Sequence, residues 1–170
     1  MQLNFNPLST PTVFVTVGLP YSGKSTYIKK DNVLRKLQIV DTDSFIENRA
    51  KMMGKTYQDV FKKTIGSATD RMKVMLDLYY RFKQSFIIDQ TNISVEKRER
   101  LIKQAKENNY KVVALVFEKA PNDEELEKRV KMRSDKKIPM NVIKQMSEKF
   151  VRPTKAEGFD EIISINSWKA

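Results

Sequence analysis

Four groups of residues in this chain are of types that handle phosphate. Gly18-Leu19-Pro20-Tyr21-Ser22-Gly23-Lys24-Ser25-Thr26 places two glycines around a short loop that ends in a lysine and a hydroxyl. Glycines let backbone N–H groups curl around phosphate oxygens. Lys24 would neutralise the β- and γ-phosphates, and Ser25 would coordinate a magnesium ion. Asp41 and Asp43 close the run Leu37-Gln38-Ile39-Val40, and Asp89 closes Phe86-Ile87-Ile88. A carboxylate in such a position can take a proton from an attacking hydroxyl or orient a metal through water. Arg129 and Arg133, at i and i+4, share one helix face and would meet charge building on a transferring phosphoryl group.

Acid–base chemistry must come from carboxylates or lysines, because the 170 residues include no histidine. The absence of cysteine excludes disulfides and thiolate metal sites. A net charge of +11 predicts attraction to polyanions or to nucleotide substrates. The first residues, MQLNFNPLSTPT, lack a basic segment followed by an apolar one, and no run approaches the roughly 18 apolar residues of a membrane span. The expectation is a soluble, cytoplasmic protein without membrane contact.

The elements that must position these groups follow from the apolar pattern. β-rich runs at 12–17, 37–41, 85–89, 111–117 and 161–165 alternate with stretches of helical period. That alternation predicts an α/β fold with five parallel strands covered by helices, in a single domain spanning 1–170. Ser94 is expected to cap a helix carrying Leu101, Ile102 and Ala105 on one face, stopped by Asn108-Asn109. Between 55 and 84 the pattern predicts two helices, broken at Gly66, with Ser67 and Asp70 as a capping box and Met72, Met75, Leu76 and Tyr79 as a core stripe.

In open parallel sheets a ligand sits beyond the carboxyl ends of the strands, so the acids are expected to face the glycine loop. Asp41 and Asp43, two apart on an extended backbone, are expected on the same side, with Asp43 as base and Asp41 as the structural member. Tyr21, bulky for its place in the loop, is expected to cover the nucleotide. Asn92 reads best as part of a capping cluster for the helix near Ser94. The run LQIVDTD also matches the nucleophile loop of haloacid-dehalogenase-type phosphatases. That family would need a downstream lysine and a further acidic pair, and would not need the loop from Gly18 to Ser25.

The set GLPYSGKST, DTDSF, IIDQTN, ELEKRVKMR and IPM with RPTKAEGFDEI resembles the polynucleotide 5′-kinases, the kinase domain of phage polynucleotide kinase and of the DNA-repair kinase/phosphatase enzymes. The resemblance implies a P-loop fold with strand order 2-3-1-4-5 and a helical lid. It implies ATP and Mg²⁺ at Gly18, Tyr21, Ser22, Gly23, Lys24, Ser25, Thr26, Arg129 and Arg133, with Ser25 and Asp89 at the metal. Asp43 would be the base on the 5′-hydroxyl of DNA or RNA, with Lys24 and Arg133 stabilising the transferred charge. Lys97, Arg98, Lys136 and Lys137 are candidates for the acceptor backbone. Thr42 and Ile46 stand where relatives carry arginines, which leaves open a smaller hydroxyl acceptor such as a sugar or nucleoside. A nucleotide-gated binding module that transfers nothing is the remaining alternative.

Overall fold

The computed structural model describes residues 9–133 and 136–169. Residues 1–8, most of the MQLNFNPLSTPT stretch, lie outside them, as do Ser134, Asp135 and Ala170. Eleven regular elements are named here in chain order: β1 (Thr12–Val17), α1 (Lys24–Lys30), β2 (Gln38–Val40), α2 (Asp43–Met52), α3 (Tyr57–Arg81), β3 (Phe86–Ile88), α4 (Val95–Glu107), β4 (Lys111–Phe117), α5 (Asp123–Met132), α6 (Met140–Glu148) and β5 (Glu161–Ile165).

The strands form one parallel sheet in the order β2-β3-β1-β4-β5. β1 sits at its centre, and all six of its residues are buried, as a strand covered on both faces requires. Alternate residues serve opposite layers. Val13, Val15 and Val17 pack with Met72, Leu76 and Tyr80 of α3 and Ile102 and Ala105 of α4. Phe14 packs with Ile28 of α1, Leu34 and Phe117. The chain therefore leaves β1 for a helix on one face and β3 for a helix on the other. Such a divergence opens a crevice beyond the carboxyl ends of two adjacent strands.

The region 57–81 is one helix, not two. Gly66 lies inside it, where a Cβ would meet no atom within 4 Å. Val60, Thr64, Ala68, Met72, Leu76 and Tyr80 bury every fourth residue without interruption. That continuous apolar stripe outweighs the roughly 1 kcal/mol that a mid-helix glycine costs. The capping box belongs to Thr56 and Asp59, which start the helix, and not to Ser67 and Asp70. Met72 and Leu76 are buried, and Met75 and Tyr79 pack against the same core. Ser94 caps α4 by accepting from the Lys97 N–H, and Ile102 and Ala105 are buried on its inner face. Among the described residues no helix is long and apolar enough to cross a membrane.

Candidate active site

The loop after β1 is shaped by steric necessity. A Cβ on Gly18 would lie 2.8 Å from Phe117 Cβ and 2.9 Å from Ser22 Oγ. Gly23 adopts φ 86°, a left-handed conformation that costs glycine little, and opens α1. The Lys24 ammonium donates to the carbonyls of Gly18 at 2.9 Å and Leu19 at 2.8 Å. Burial pushes this lysine down to about 8, against the pull of Asp89 and Asp43, so both acids face it. Ser25 and Thr26 are exposed on the first turn of α1.

The three aspartates take different places. β2 ends at Val40, and the chain turns into a helix before Asp43, so the expected extended pair does not form. Asp41 accepts from the N–H of Ser44 at 2.6 Å and from its hydroxyl at 2.8 Å, which starts α2. Asp43 is the first residue of α2. Its Oδ1 accepts from the Tyr57 hydroxyl at 2.6 Å, and its Oδ2 is paired with the Lys136 ammonium. Partial burial raises the Asp43 carboxyl, but Lys136, Tyr57 and Arg133 more than offset that and hold it below the usual value. Asp89 accepts from the Thr16 hydroxyl at 3.0 Å, and its burial pushes it up despite the charge of Lys24.

Arg129 buttresses the loop. It donates to the Tyr21 carbonyl at 3.0 Å, the Ser167 hydroxyl at 3.2 Å and the Ser167 carbonyl at 2.5 Å, with Trp168 stacked 3.5 Å from the guanidinium. Ser167 donates to the Ser22 carbonyl at 2.6 Å, which ties the C-terminal stretch to the same loop. Arg133, at the end of α5, reaches Glu47 of α2 at 3.5 Å. The Tyr21 hydroxyl donates to the Lys136 carbonyl and accepts from the Ile138 N–H, both at 2.9 Å. The tyrosine thus anchors the segment between α5 and α6, a contact that its expected place over the nucleotide did not include.

Two of the four basic residues expected at an acceptor backbone are internal. Arg98 is fully buried, forked onto Glu157 at 2.7 and 2.9 Å, and also donates to the carbonyls of Asn92 and Val151. Lys136 is buried against Asp43. Lys137 is exposed, and Lys97 faces Asp43 from α4. Asn92 is not a cap. It is buried with φ 46° and donates to the Thr16 carbonyl at 2.8 Å, holding the β3 exit to β1. Ile46 is fully buried, so no substrate reaches it. The sequence reading missed Tyr57, the pairing of Lys136 and the Ser167 strut. Only Tyr57 carried a local signal, its place directly after the Thr56 cap.

Ser25 and Asp89 fit a magnesium site by donor chemistry. Both offer hard oxygens, and a buried carboxylate facing a lysine suits an ion that keeps water and phosphate as its other ligands. No cluster of three carboxylates exists among the described residues, and such an ion needs none.

Residues 13–153 match the model of a family described as AAA domain. Human heterogeneous nuclear ribonucleoprotein U-like protein 2 is 26% identical over 160 residues, covering 88% of this chain and 21% of that protein. The chain thus spans about a fifth of the length of the first curated relatives it matches. A candidate kinase from Chloroflexus aurantiacus superposes with a TM-score of 0.68 at 14% identity, over 95% of this chain and 88% of that one. A gluconokinase from Sinorhizobium meliloti gives 0.53 at 16%, over 95% and 85%. Chaetomium thermophilum Kti12, solved in complex with ADP-AlF3, gives 0.57 at 15%, over 91% and 89%. These likenesses are of fold, and the fold is that of P-loop kinases.

Proposed function

The chain belongs to the AAA domain family, a P-loop kinase-like group, and from that premise we propose that it is an ATP-dependent phosphotransferase whose acceptor is a small hydroxyl compound bearing an anionic group. The observation that carries this reading is the segment fastened beside Asp43, whose side chain stays half-exposed. Residues 136–138 are tied to Tyr21, to Asp43 and, through the Lys137 carbonyl, to Gln58 at 2.5 Å. A segment fastened this close to the carboxylate suits a small acceptor. The charges of Lys97, Arg133 and Lys136 converge on the same carboxylate and favour an anion beside the reacting hydroxyl. Sugar acids have this chemistry, and gluconokinase, a neighbour in fold, is named for one.

In this reading the loop from Gly18 to Thr26 holds the triphosphate, with Lys24 against the leaving phosphates and Arg129 keeping the loop in shape. Asp43 accepts the proton of the acceptor hydroxyl while the oxygen of that hydroxyl bonds to the γ-phosphorus. The bridging P–O bond to ADP breaks, and the proton then passes from Asp43 to solvent. Arg133 meets charge on the transferred group. Mg²⁺ held by Ser25 and Asp89 would neutralise phosphate charge.

A second reading, transfer to the 5′-hydroxyl of DNA or RNA, rests on the net charge of +11 and on the likeness to a ribonucleoprotein. Labelled ATP, offered with sugar acids, neutral sugars and 5′-hydroxyl oligonucleotides, separates the two. Label in the small acids supports the first reading, and label only in oligonucleotides overturns it. No label in any acceptor, with ATP still bound, leaves the nucleotide-gated binding module.

A further inference from the structure

The Asp43 carboxylate is held from two sides by elements far apart in sequence. Tyr57, the first residue of α3, reaches Oδ1. Lys136, on the segment between α5 and α6, reaches Oδ2, and its ammonium lies 4.4 Å above the Tyr57 ring. The lysine side chain is 9% exposed, whereas that of Asp43 is 51% exposed. A buried ammonium needs its counter-charge, so the lysine is committed to the clamp while the carboxylate still opens to an acceptor. Tyr21, with two hydrogen bonds at Lys136 and Ile138, fixes the backbone that carries the lysine.

We propose that Lys136 and Tyr57 are positioning residues that clamp the Asp43 carboxylate by its opposite oxygens, and that Tyr21 links this clamp to the phosphate loop. The inference rests on the assignment of Asp43 as the base. A carboxylate has about four lone-pair positions, so two remain for an acceptor hydroxyl while the clamp is made. The clamp fixes the direction of those two, as alignment for proton transfer requires. It also lowers the pH at which the group takes up a proton, since it opposes the partial burial that raises it.

Among the described residues, the charged and titratable groups facing this carboxylate are Lys24 from α1, Asp89 after β3, Lys97 from α4, Arg133 at the end of α5, and the clamp pair. Glu47 of α2 and Asp41 add their fields at Tyr57.

The test is a carboxyl-carbon NMR titration of the full chain labelled at aspartate, with the Asp43 signal identified by its loss in Asp43→Asn. In the wild type its midpoint lies below that of an ordinary aspartate. Lys136→Met and Tyr57→Phe each move it upward, and Lys136→Arg keeps it low. Tyr57→Phe retains the ring that packs 5.6 Å from Phe61, so it reports even where the lysine variant fails to fold. A midpoint unchanged in the folded variants overturns the clamp. Where transfer is measured, its acid limb moves to higher pH with the same variants, and a limb that stays put also counts against it. The titration needs no turnover. A chain that transfers nothing would retire the proposed function while leaving the clamp measured.

Discussion

The Tyr21 hydroxyl donates to the backbone carbonyl of Lys136 at 2.9 Å and so joins the glycine loop after β1 to the segment between α5 and α6. The same oxygen accepts from Ile138. One side chain of the loop therefore holds the backbone at both Lys136 and Ile138.

Tyr21→Phe removes both bonds and keeps the ring. The Ile138 amide is expected to exchange with solvent faster in this variant, and stability is expected to fall by about 1–2 kcal/mol, a net hydrogen bond being worth about 1. Native-state hydrogen exchange with an unfolding titration checks both. Unchanged protection of Ile138 would show that the bond carries nothing.

Gly18→Ala puts a methyl where Phe117 Cβ and Ser22 Oγ already stand at 2.8 and 2.9 Å. Ser22 Oγ can turn away, but Phe117 Cβ is fixed to the backbone of β4, so the loop must shift, at a cost of roughly 1–3 kcal/mol. Calorimetric ADP binding should weaken at least about tenfold, the equivalent of 1.4 kcal/mol.

Glu157→Gln leaves the Arg98 guanidinium buried without its carboxylate. Breaking a buried pair by removing one partner costs about 3–5 kcal/mol, and urea unfolding should show a loss of that size. Oligonucleotide affinity should not fall through Arg98, since that side chain is fully buried.

These three sites divide by how far chemistry is local. The glycine loop, its lysine, the strand that feeds it and the cap at Ser94 are legible because each is a short run with its own steric or hydrogen-bonding logic. Arg98 reads as a surface cation because its partner Glu157 lies 59 residues away. Lys136 meets Asp43 across 93 residues and Tyr57 meets it across 14, and no spacing rule joins such pairs. Gly66 reads as a break because local propensity weighs against it, while the buried stripe that carries the helix through it packs on α2 around Val60 and Ala68 and on the sheet from Met72 onward.

Asp160 provides a pH test outside the site. It caps the entry to β5, accepting from the Val112 N–H at 2.7 Å and from Lys106 at 2.5 Å. Partial burial raises its carboxyl, but Lys106, Val112 and Lys111 more than offset that and hold it below the ordinary 3.8. A depressed carboxylate stabilises the fold above its unfolded value and stops doing so as pH falls through its folded one. The stability advantage of the wild type over Asp160→Asn should therefore be full at neutral pH and shrink below about pH 4. A pH-independent difference in thermal unfolding would contradict this.

The most direct measurement is phosphate transfer by Asp43→Asn, made alongside calorimetric ATP binding at the same pH. Transfer to the wild-type acceptor is expected to fall by at least about 10²-fold, the smaller end of what a general base contributes, while ATP binds as before. Transfer at the wild-type rate with a neutral amide at position 43 would contradict the account.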